Sequence, residues 1–203
     1  MTHAATQLFP VILPVSDADH RLNGRDKVKA LSRLARSALM KSCEKSGLHL
    51  DAFPKNQKGV PLPVGGVHWS LTHKSDMVGG VASLLPVGMD LETIRPVNGA
   101  LLTKVADDDE WQLVDGDRQR AFFRFWTAKE AVLKAVGKGM VGLSRCRVAA
   151  IVDDTRMTLT YDATHWPVAH FWFDGHVAAL THHDLDVFWT LPHCFDVTGT
   201  RFP

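Results

Sequence analysis

A helical stretch in the second half of the chain constrains the fold more than any other segment. Residues 118–136 are rich in phenylalanine, alanine, leucine and valine, and Trp126, Glu130 and Lys134 recur at every fourth position. That spacing places the three side chains along one face of a helix, and a helix that is apolar almost all round is usually buried. The pattern therefore predicts a buried helix over residues 118–136, with Gly137 as its C-terminal stop.

An acid and a base on such a helix have two interpretations. Glu130 and Lys134 could form an intrahelical pair on a solvated strip, where the pair contributes only a few tenths of a kcal/mol. Buried charges, in contrast, are costly unless they are paired or take part in chemistry. The helix alone leaves both interpretations open.

The composition is that of a globular protein. The chain has 203 residues, a hydrophobic fraction of 45% and a formal net charge of +1, which argues against disorder. Near-neutral charge also argues against a nucleic-acid-binding protein, since such a protein carries a basic face. The length admits one domain or two small lobes with a real core.

The N-terminus and the cysteines predict a cytoplasmic protein. Residues 1–20 have no basic segment, and two prolines interrupt their apolar run, so they are neither a signal peptide nor a membrane span. Cys43, Cys146 and Cys194 are odd in number and far apart, so neither a disulfide framework nor a zinc spacing follows. We therefore expect no membrane and an intracellular location.

The order of predicted elements repeats along the chain. The first half has a strand at residues 11–15, a helix at residues 26–45 ended by Gly47, and strands at residues 67–72, 77–85 and 88–94. The second half has the helix at residues 118–136 and strands at residues 147–152, 157–161, 169–173, 177–181 and 185–191. Arg95 to Gly99 reads as a linker between the halves.

A short internal repeat supports this division. Asp90 follows Val81 of one small-residue strand by nine residues, and Asp186 follows Val177 of another by the same interval. Matched spacing suggests two lobes of one ancestral unit. We expect an α/β (α+β) protein with two similar lobes, residues 1–98 and 99–203, each a helix on a small, mostly antiparallel sheet. A pseudo-twofold axis would relate the lobes, and the groove between them would hold a ligand.

Acidic residues supply candidate metal ligands. Asp90 and Glu92 stand two apart on a predicted strand, so both carboxylates point to one face. Paired carboxylates suit a hard divalent cation such as Mg²⁺, although a solvent-facing acidic pair at a strand end explains them equally well. Glu110 ends an acidic run, where it either complements a helix dipole or reaches a metal.

Basic and polar residues supply candidate phosphate ligands. Thr72, His73 and Lys74 lie in a turn after a predicted strand, where a hydroxyl, an imidazole and an ammonium in succession could receive a phosphate. Arg36 and Lys58 could do so too, and the alternative for each is an ordinary surface residue. The GKGMVG sequence at residues 137–142 follows a helix, so it lacks the context of a dinucleotide site. The C-terminal histidines are interpreted as surface or strand residues and not as metal ligands: His165, His170, His176, His182, His183 and His193.

Three motifs together resemble the 4′-phosphopantetheinyl transferases of the larger, pseudo-dimeric Sfp type. They are THKSD at residues 72–76, GMDLE at residues 88–92 and FWTAKEAVLKAVGKG at residues 125–139. The family signature reads roughly (V/I)G(V/I)D(I/V)E and, about forty residues later, W-(S/C/T)-x-K-E-(A/S)-x-x-K. Trp126, Lys129, Glu130, Ala131 and Lys134 match it, and Met89 and Leu91 are conservative changes. The resemblance covers residues 26–142.

The resemblance implies an activity and a role for each candidate residue. Such enzymes transfer the phosphopantetheine arm of coenzyme A to a serine of an apo carrier protein and release adenosine 3′,5′-bisphosphate. Asp90 and Glu92, with Glu110 as third ligand, would hold Mg²⁺. Glu130 would take the serine proton, and Lys134 would bind the pyrophosphate and keep Glu130 ionised. Thr72, His73 and Arg36 would contact the nucleotide and its 3′-phosphate. The enzyme would be a cytoplasmic monomer whose partners are a carrier protein and coenzyme A, with no nucleic acid and no membrane.

The chain departs from the family pattern at three places. The basic pair expected before the first helix has only Arg21 and Arg25 as approximate counterparts. Gly59 is followed by Val60 where the family has a lysine, and the nearest lysine is Lys58. His73 is followed by Lys74 and Ser75 where serine and glycine are common. Two other functions stay open: a catalytically silent protein that binds coenzyme A or a carrier, and a magnesium-dependent phosphohydrolase that uses the same carboxylates.

Overall fold

The structure is a computed structural model that describes residues 6–191. Predictions for residues 1–5, His193 and Cys194 lie outside this range. The elements follow in the order β1 (Gln7–Leu8), β2 (Val11–Pro14), α1 (Asp17–His20), α2 (Gly24–Ser46), β3 (His68–His73), β4 (Met77–Ser83), β5 (Met89–Thr93), α3 (Gly99–Val105), α4 (Asp108–Gln112), α5 (Arg118–Val136), a 3-10 helix (Gly139–Arg145), β6 (Cys146–Ile151), β7 (Arg156–Tyr161), β8 (Thr164–Phe173), β9 (His176–Thr181) and β10 (Asp186–Val187).

The strands form two antiparallel sheets and one short parallel pair. The three-stranded sheet has the order β2-β4-β3, and the five-stranded sheet has the order β5-β9-β8-β7-β6. Strands β1 and β10 pair in parallel. The predicted combination of helices with mostly antiparallel sheets is confirmed.

Helix α2 covers the three-stranded sheet because its apolar stripe faces the strands. Ala35, Ala38 and Leu39 are completely buried, whereas most of the basic side chains on its other faces are exposed. The helix lies unusually close to β4, since a Cβ added at Gly80 would be 2.5 Å from the backbone nitrogen of Leu39. The helix ends at Gly47 in the left-handed conformation, as predicted.

Helix α5 packs against the five-stranded sheet and is buried along most of its length. Its observed bounds, Arg118–Val136, and its left-handed C-cap at Gly137 confirm the prediction. Gly88, just before β5, allows a close approach, since a Cβ there would lie 1.8 Å from the carbonyl oxygen of Ala131. This contact holds the start of β5 directly against the middle of α5.

The sequence predicted some elements incompletely. Strand β8 begins at Thr164 and not at residue 169, because Pro167 pairs only with β7 and the pairing with β9 starts at Val168. The last predicted strand, residues 185–191, is reduced to β10. The short helices α3 and α4 were not predicted, because each presents too few turns to show an apolar period.

Strand β5 links the two halves of the chain. It precedes the predicted boundary at residues 98 and 99, but it pairs with β9, which follows that boundary. The division into two lobes therefore does not separate the two large sheets and stays a prediction. Among the helices of residues 6–191, none combines the length and the apolar character that a membrane crossing requires.

Candidate active site

A pocket of about 330 Å³ brings most of the predicted site residues together. It lies where the end of β3, the strand β5 and the helix α5 meet. Its lining consists of Leu71, Thr72, His73, Lys74, Asp90, Glu92, Trp126, Glu130 and Lys134. Carboxylates from a strand of the first half thus share one cavity with the acid and the base of the second-half helix, as the sequence predicted.

Strand β5 presents its two carboxylates to this pocket and its apolar side chains to the core. Asp90 and Glu92 line the cavity, while Met89 and Leu91 are completely buried on the other face. The period of two along the strand produces this division. The prediction that Asp90 and Glu92 share one face is confirmed.

Lys134 is held on the Asp90 side of the pocket. Its Nζ lies 2.8 Å from Oδ1 of Asp90 and donates to the carbonyl oxygen of Met89 at 2.9 Å. A longer contact of 3.4 Å reaches the carbonyl oxygen of Leu71. Within residues 6–191, the salt bridge of Lys134 is to Asp90 and none is formed with Glu130. The intrahelical Glu130–Lys134 pair, one of the two interpretations of the helix, is therefore wrong.

Glu130 lies in the pocket without an ion-pair partner among the described residues. Burial, and then the negative charge of Asp90, raises the pKa of Glu130 above its ordinary value, although Lys134 and Lys74 partly oppose this shift. A carboxylate with a raised pKa is a better proton acceptor near neutral pH than an ordinary one. Lys134 thus favours the ionised form of Glu130, as predicted, but burial has the larger effect.

Glu92 is bound by two residues whose contacts with it were not predicted from the sequence. Nζ of Lys74 lies 2.6 Å from Oε1 of Glu92, and the indole Nε1 of Trp126 donates to the same oxygen at 3.0 Å. Trp126 was recognised only as part of a motif. The one signal for Lys74 was its position in the THKSD turn, beside the predicted phosphate ligands.

Thr72 and His73 occupy different positions in the pocket. The hydroxyl of Thr72 is buried and donates to Oδ1 of Asp90 at 3.1 Å. His73 is exposed, but partial desolvation of its ring, and then the nearby ammonium of Lys134, lower the pKa of His73 below its ordinary value. At neutral pH His73 is therefore a neutral hydrogen-bonding group.

The predicted third metal ligand, Glu110, is used elsewhere. Its Oε1 lies 2.6 Å from Nζ of Lys129 and accepts the backbone N–H of Val148 at 2.7 Å. Its Oε2 accepts the N–H of Asp107 at 3.1 Å, which completes a capping box at the start of α4. These contacts correct the metal-ligand prediction for Glu110. The acidic residue that shares the pocket with Asp90 and Glu92 is Glu130.

Two predicted phosphate ligands lie outside the lining of this pocket. Arg36 is exposed on α2, with its guanidinium 5.8 Å from the ring centroid of Phe53. Lys58 is exposed in the loop before β3, and its backbone N–H donates to the side chain of Asn56. Neither side chain has an ion-pair partner among residues 6–191, so both stay candidates for a long, extended ligand.

The pocket has the donors that a divalent cation requires. Oδ2 of Asp90 is buried and has no hydrogen-bond partner, which is an unfavourable state for a carboxylate oxygen. Carboxylate oxygens are the ligands that Mg²⁺ prefers. In residues 6–191, no group of three His, Cys, Asp or Glu side chains stands ready around a metal position. The orphan oxygen of Asp90 nevertheless makes this pocket suitable for a cation.

Apart from His73, the described histidines and cysteines lie outside the lining of the pocket. His170 and His176 are buried on β8 and β9, as the strand interpretation predicted. Burial raises the pKa of Cys146 to about 12 and keeps the thiol unreactive. Cys43 and Cys146 are free thiols.

The segment that carries most of the pocket residues matches a known protein family. The family model of the 4′-phosphopantetheinyl transferase superfamily matches residues 86–181, which include β5 and α5. This match spans just under half of the chain. The matched region contains all three carboxylates of the pocket and Lys134, whereas the turn that carries His73 and Lys74 precedes it.

Three curated proteins that are named 4′-phosphopantetheinyl transferases are similar to part of this chain. A 4′-phosphopantetheinyl transferase of Bacillus pumilus is 37% identical over 109 residues, which cover 51% of this chain and 46% of that protein. One of Aneurinibacillus migulanus is 32% identical over 92 residues, covering 43% and 39%. One of Nostoc sp. is 33% identical over 109 residues, covering 48% and 46%. The aligned part of this chain thus spans less than half the length of these three relatives.

Proposed function

We propose that this chain transfers the 4′-phosphopantetheine arm of coenzyme A to a serine of an apo carrier protein and releases adenosine 3′,5′-bisphosphate. The observation that carries the proposal is the meeting of Asp90, Glu92, Glu130 and Lys134 in one pocket, within the segment that matches the superfamily model. The names of the relatives agree with it. In this reaction the serine oxygen forms a bond to the phosphorus of the arm, and the bond from that phosphorus to the bisphosphate breaks.

Glu130 is the proposed general base. It lies in the pocket without an ion-pair partner among the described residues, and burial raises its pKa. It would take the serine proton, directly or through a water molecule, as the hydroxyl becomes a nucleophile. No other carboxylate of the pocket is as free to do so, because Asp90 and Glu92 are each paired with an ammonium group.

Lys134 is the proposed pyrophosphate ligand. The bonds to Asp90 and to the carbonyl oxygen of Met89 fix its ammonium group at the wall of the pocket. A preorganised positive charge stabilises the negative charge that develops on a leaving phosphate without further reorganisation. Lys134 would therefore act on the transition state as well as on binding.

Asp90 and Glu92 are the proposed metal ligands, with Glu130 as the third acidic residue within reach of the same cavity. Oδ2 of Asp90 offers a buried oxygen without a competing partner. We propose Mg²⁺, because it binds through one or two carboxylates together with substrate phosphates. When bound, the ion neutralises charge on the pyrophosphate.

The nucleotide end of coenzyme A is assigned to the first half of the chain. Thr72 and His73 lie at the end of β3 inside the pocket, and neutral His73 can donate a hydrogen bond to a phosphate oxygen. Arg36 and Lys58 are exposed cations of the same half and the proposed ligands of the 3′-phosphate. The donor would thus extend from α5 toward α2.

The chain is proposed to consist of two similar lobes, residues 1–98 and 99–203. An exchange of strands supports a pseudo-twofold relation between them. Strand β5 follows β4 and pairs with β9, while β10 follows β9 and pairs with β1. Each lobe would therefore donate its last strand to the other. Because one chain then supplies both walls of the pocket, we propose a cytoplasmic monomer.

The proposed function is tested by incubating the protein with coenzyme A, Mg²⁺ and a panel of apo carrier proteins, and by measuring the intact mass of each carrier. Transfer adds about 340 Da, the mass of the arm, to one carrier or more. A carrier whose serine is replaced by alanine is the control and gains nothing. If no carrier gains mass while nucleotides release phosphate, the chain is a phosphohydrolase instead.

A further inference from the structure

Lys74 places a second ammonium group inside the pocket. Its Nζ lies 2.6 Å from Oε1 of Glu92, a proposed metal ligand, and its side chain is 32% exposed against 11% for Glu92. Lys134 is tied to both Asp90 and the carbonyl oxygen of Met89. Lys74, in contrast, has its recorded side-chain bond to Glu92 alone among residues 6–191. Its ammonium is therefore the more easily displaced of the two.

The backbone that carries Lys74 is fixed in place. Its N–H donates to the carbonyl oxygen of Met77 at 2.8 Å, and the N–H of Val15 donates to the carbonyl oxygen of Asp76 at 2.8 Å. The side chain of Asp76 reaches across to β9, where Oδ2 lies 2.7 Å from Nε2 of His176. Any movement of the ammonium group therefore occurs by rotation of the Lys74 side chain and not by opening of the turn.

A divalent cation and Lys74 compete for the same carboxylate. Like charges repel when they share one ligand, so a cation bound to Glu92 weakens the pair between the ammonium and Oε1 and favours its displacement. The displaced group stays at the pocket wall because its backbone is anchored. A phosphate of the donor would then be the nearest anion without a partner, and ammonium groups bind phosphates as point charges.

We propose that Lys74 is an exchangeable cation of the active site, which holds Glu92 in the free protein and moves to a donor phosphate when a divalent cation is bound. This inference rests on the proposed function, since it takes coenzyme A as the phosphate ligand. It assigns to Lys74 a role that the carboxylates and Lys134 do not fill.

The proposal is tested on the full chain with Mn²⁺ as the probe, by following the electron paramagnetic resonance signal of free Mn²⁺. Without coenzyme A, Lys74→Met should bind Mn²⁺ roughly fivefold more tightly than the native protein, because a competing ion pair is removed. With Mn²⁺ saturating, calorimetry should show coenzyme A binding to the variant roughly fivefold more weakly. The expected result is therefore tighter Mn²⁺ binding together with weaker coenzyme A binding in the same variant.

Two further variants separate this role from a general effect of charge. Lys74→Arg keeps the positive charge and should bring the Mn²⁺ affinity back to within about twofold of the native value. Lys138→Met removes an exposed charge that has no ion-pair partner among residues 6–191, and it should leave both affinities within about twofold. A thermal unfolding curve for each variant verifies that it is folded.

An unchanged or weaker affinity of Lys74→Met for Mn²⁺, or an unchanged affinity for coenzyme A, overturns the proposal. Its failure is distinguishable from failure of the proposed function. If the native protein modifies no carrier while Lys74→Met shows the two opposite affinity changes, the exchangeable lysine is supported and the transferase function is not. If the native protein modifies a carrier while Lys74→Met binds both ligands with native affinity, the transferase function is supported and the role of Lys74 is not.

Discussion

Two buried or partly buried acid–ammonium pairs contact helix α5, and they differ in exposure and in hydrogen bonding. In the first, Glu110 and Lys129 are 2.6 Å apart and nearly inaccessible, with side-chain exposures of 4% and 3%. In the second, Asp90 and Lys134 are 2.8 Å apart, but Lys134 is 29% exposed. Both oxygens of Glu110 accept hydrogen bonds, whereas Oδ2 of Asp90 accepts none.

The comparison separates a structural ion pair from a functional one. A buried pair whose hydrogen bonds are complete offers nothing to a ligand and serves to fix the elements that carry it. Glu110 and Lys129 join α4, α5 and β6 in this way. Asp90 and Lys134 have the same charges at nearly the same distance, yet they face a cavity with one oxygen unsatisfied. The unpaired oxygen of Asp90 and the partial exposure of Lys134, and not charge alone, distinguish the pair in the pocket.

The largest expected effect comes from removing the proposed base of the pocket, Glu130. Glu130→Gln should lower the rate of arm transfer by roughly 10³-fold, because general base catalysis contributes about that much. Coenzyme A binding, measured by calorimetry, should change little, since the amide keeps the shape of the side chain. Glu44→Gln, an exposed change on α2, is the matched control. Retained turnover in Glu130→Gln would remove this residue from the base role.

Breaking the buried pair of Glu110 and Lys129 should lower the stability of the protein more than its activity. Lys129→Met leaves Glu110 buried without its counter-charge, and loss of one partner of such a pair costs about 3–5 kcal/mol of unfolding free energy. Denaturant unfolding measures this loss. Arg145→Met breaks an ion pair with Asp162 in which both side chains are substantially exposed, and it should cost less than about 1 kcal/mol. Equal losses in the two variants would contradict the distinction.

The close contact between β5 and α5 at Gly88 should affect both stability and activity, because these two elements carry the carboxylates of the pocket. Gly88→Ala places a methyl group where the carbonyl oxygen of Ala131 would lie 1.8 Å away, so the strand or the helix must shift. We expect a loss of about 1–3 kcal/mol in unfolding free energy, together with a loss of transfer activity. Gly99→Ala is the control, because nothing lies within 4 Å of its added carbon. Normal activity in Gly88→Ala would show that this spacing does not position the site.

The smallest expected effect is a dependence of stability on pH. Burial, followed by Asp90, raises the pKa of Glu130 above its ordinary value of 4.5. The folded chain therefore holds this proton more tightly than the unfolded chain, and the unfolding free energy decreases as pH rises from about 4.5 through the raised pKa. Glu130→Gln should lose this contribution and be the more stable protein at neutral pH.

Unfolding curves of the native protein and Glu130→Gln across this range measure the difference. The same raised pKa predicts that arm transfer by the native protein declines on the acidic side at a pH above the ordinary value of 4.5. If Glu130→Gln and native protein keep parallel stability curves, the pKa of Glu130 is not raised by its surroundings.

Regular elements were the part of the fold that the sequence predicted well. The apolar stretch at residues 118–136 and the glycine after it defined α5 to the residue, because a long periodic pattern with a cap is unambiguous. The alternation in GMDLE likewise separated Asp90 and Glu92 from the core side of β5. Local periods of 3.6 and 2 were sufficient for these statements.

Partners across the fold were not predictable from local patterns. Glu110 was assigned to the metal because it is acidic and precedes α5, yet the capping box it forms with Asp107 was readable in the sequence. Its third partner, Val148, lies 38 positions along the chain and gives no local signal. The contact of Lys74 with Glu92 was missed for the same reason, since only the tertiary structure brings the two side chains together.

The central claim, that Asp90 with its unpaired Oδ2 forms the cation site of the pocket together with Glu92, is tested most directly by counting bound Mn²⁺. The native protein and Glu110→Gln should each bind one equivalent at the pocket, because Glu110 pairs with Lys129 outside the pocket. Asp90→Asn should bind none at the same concentration, since the orphan oxygen is replaced or neutralised. Loss of Mn²⁺ in Glu110→Gln with retention in Asp90→Asn would contradict the account.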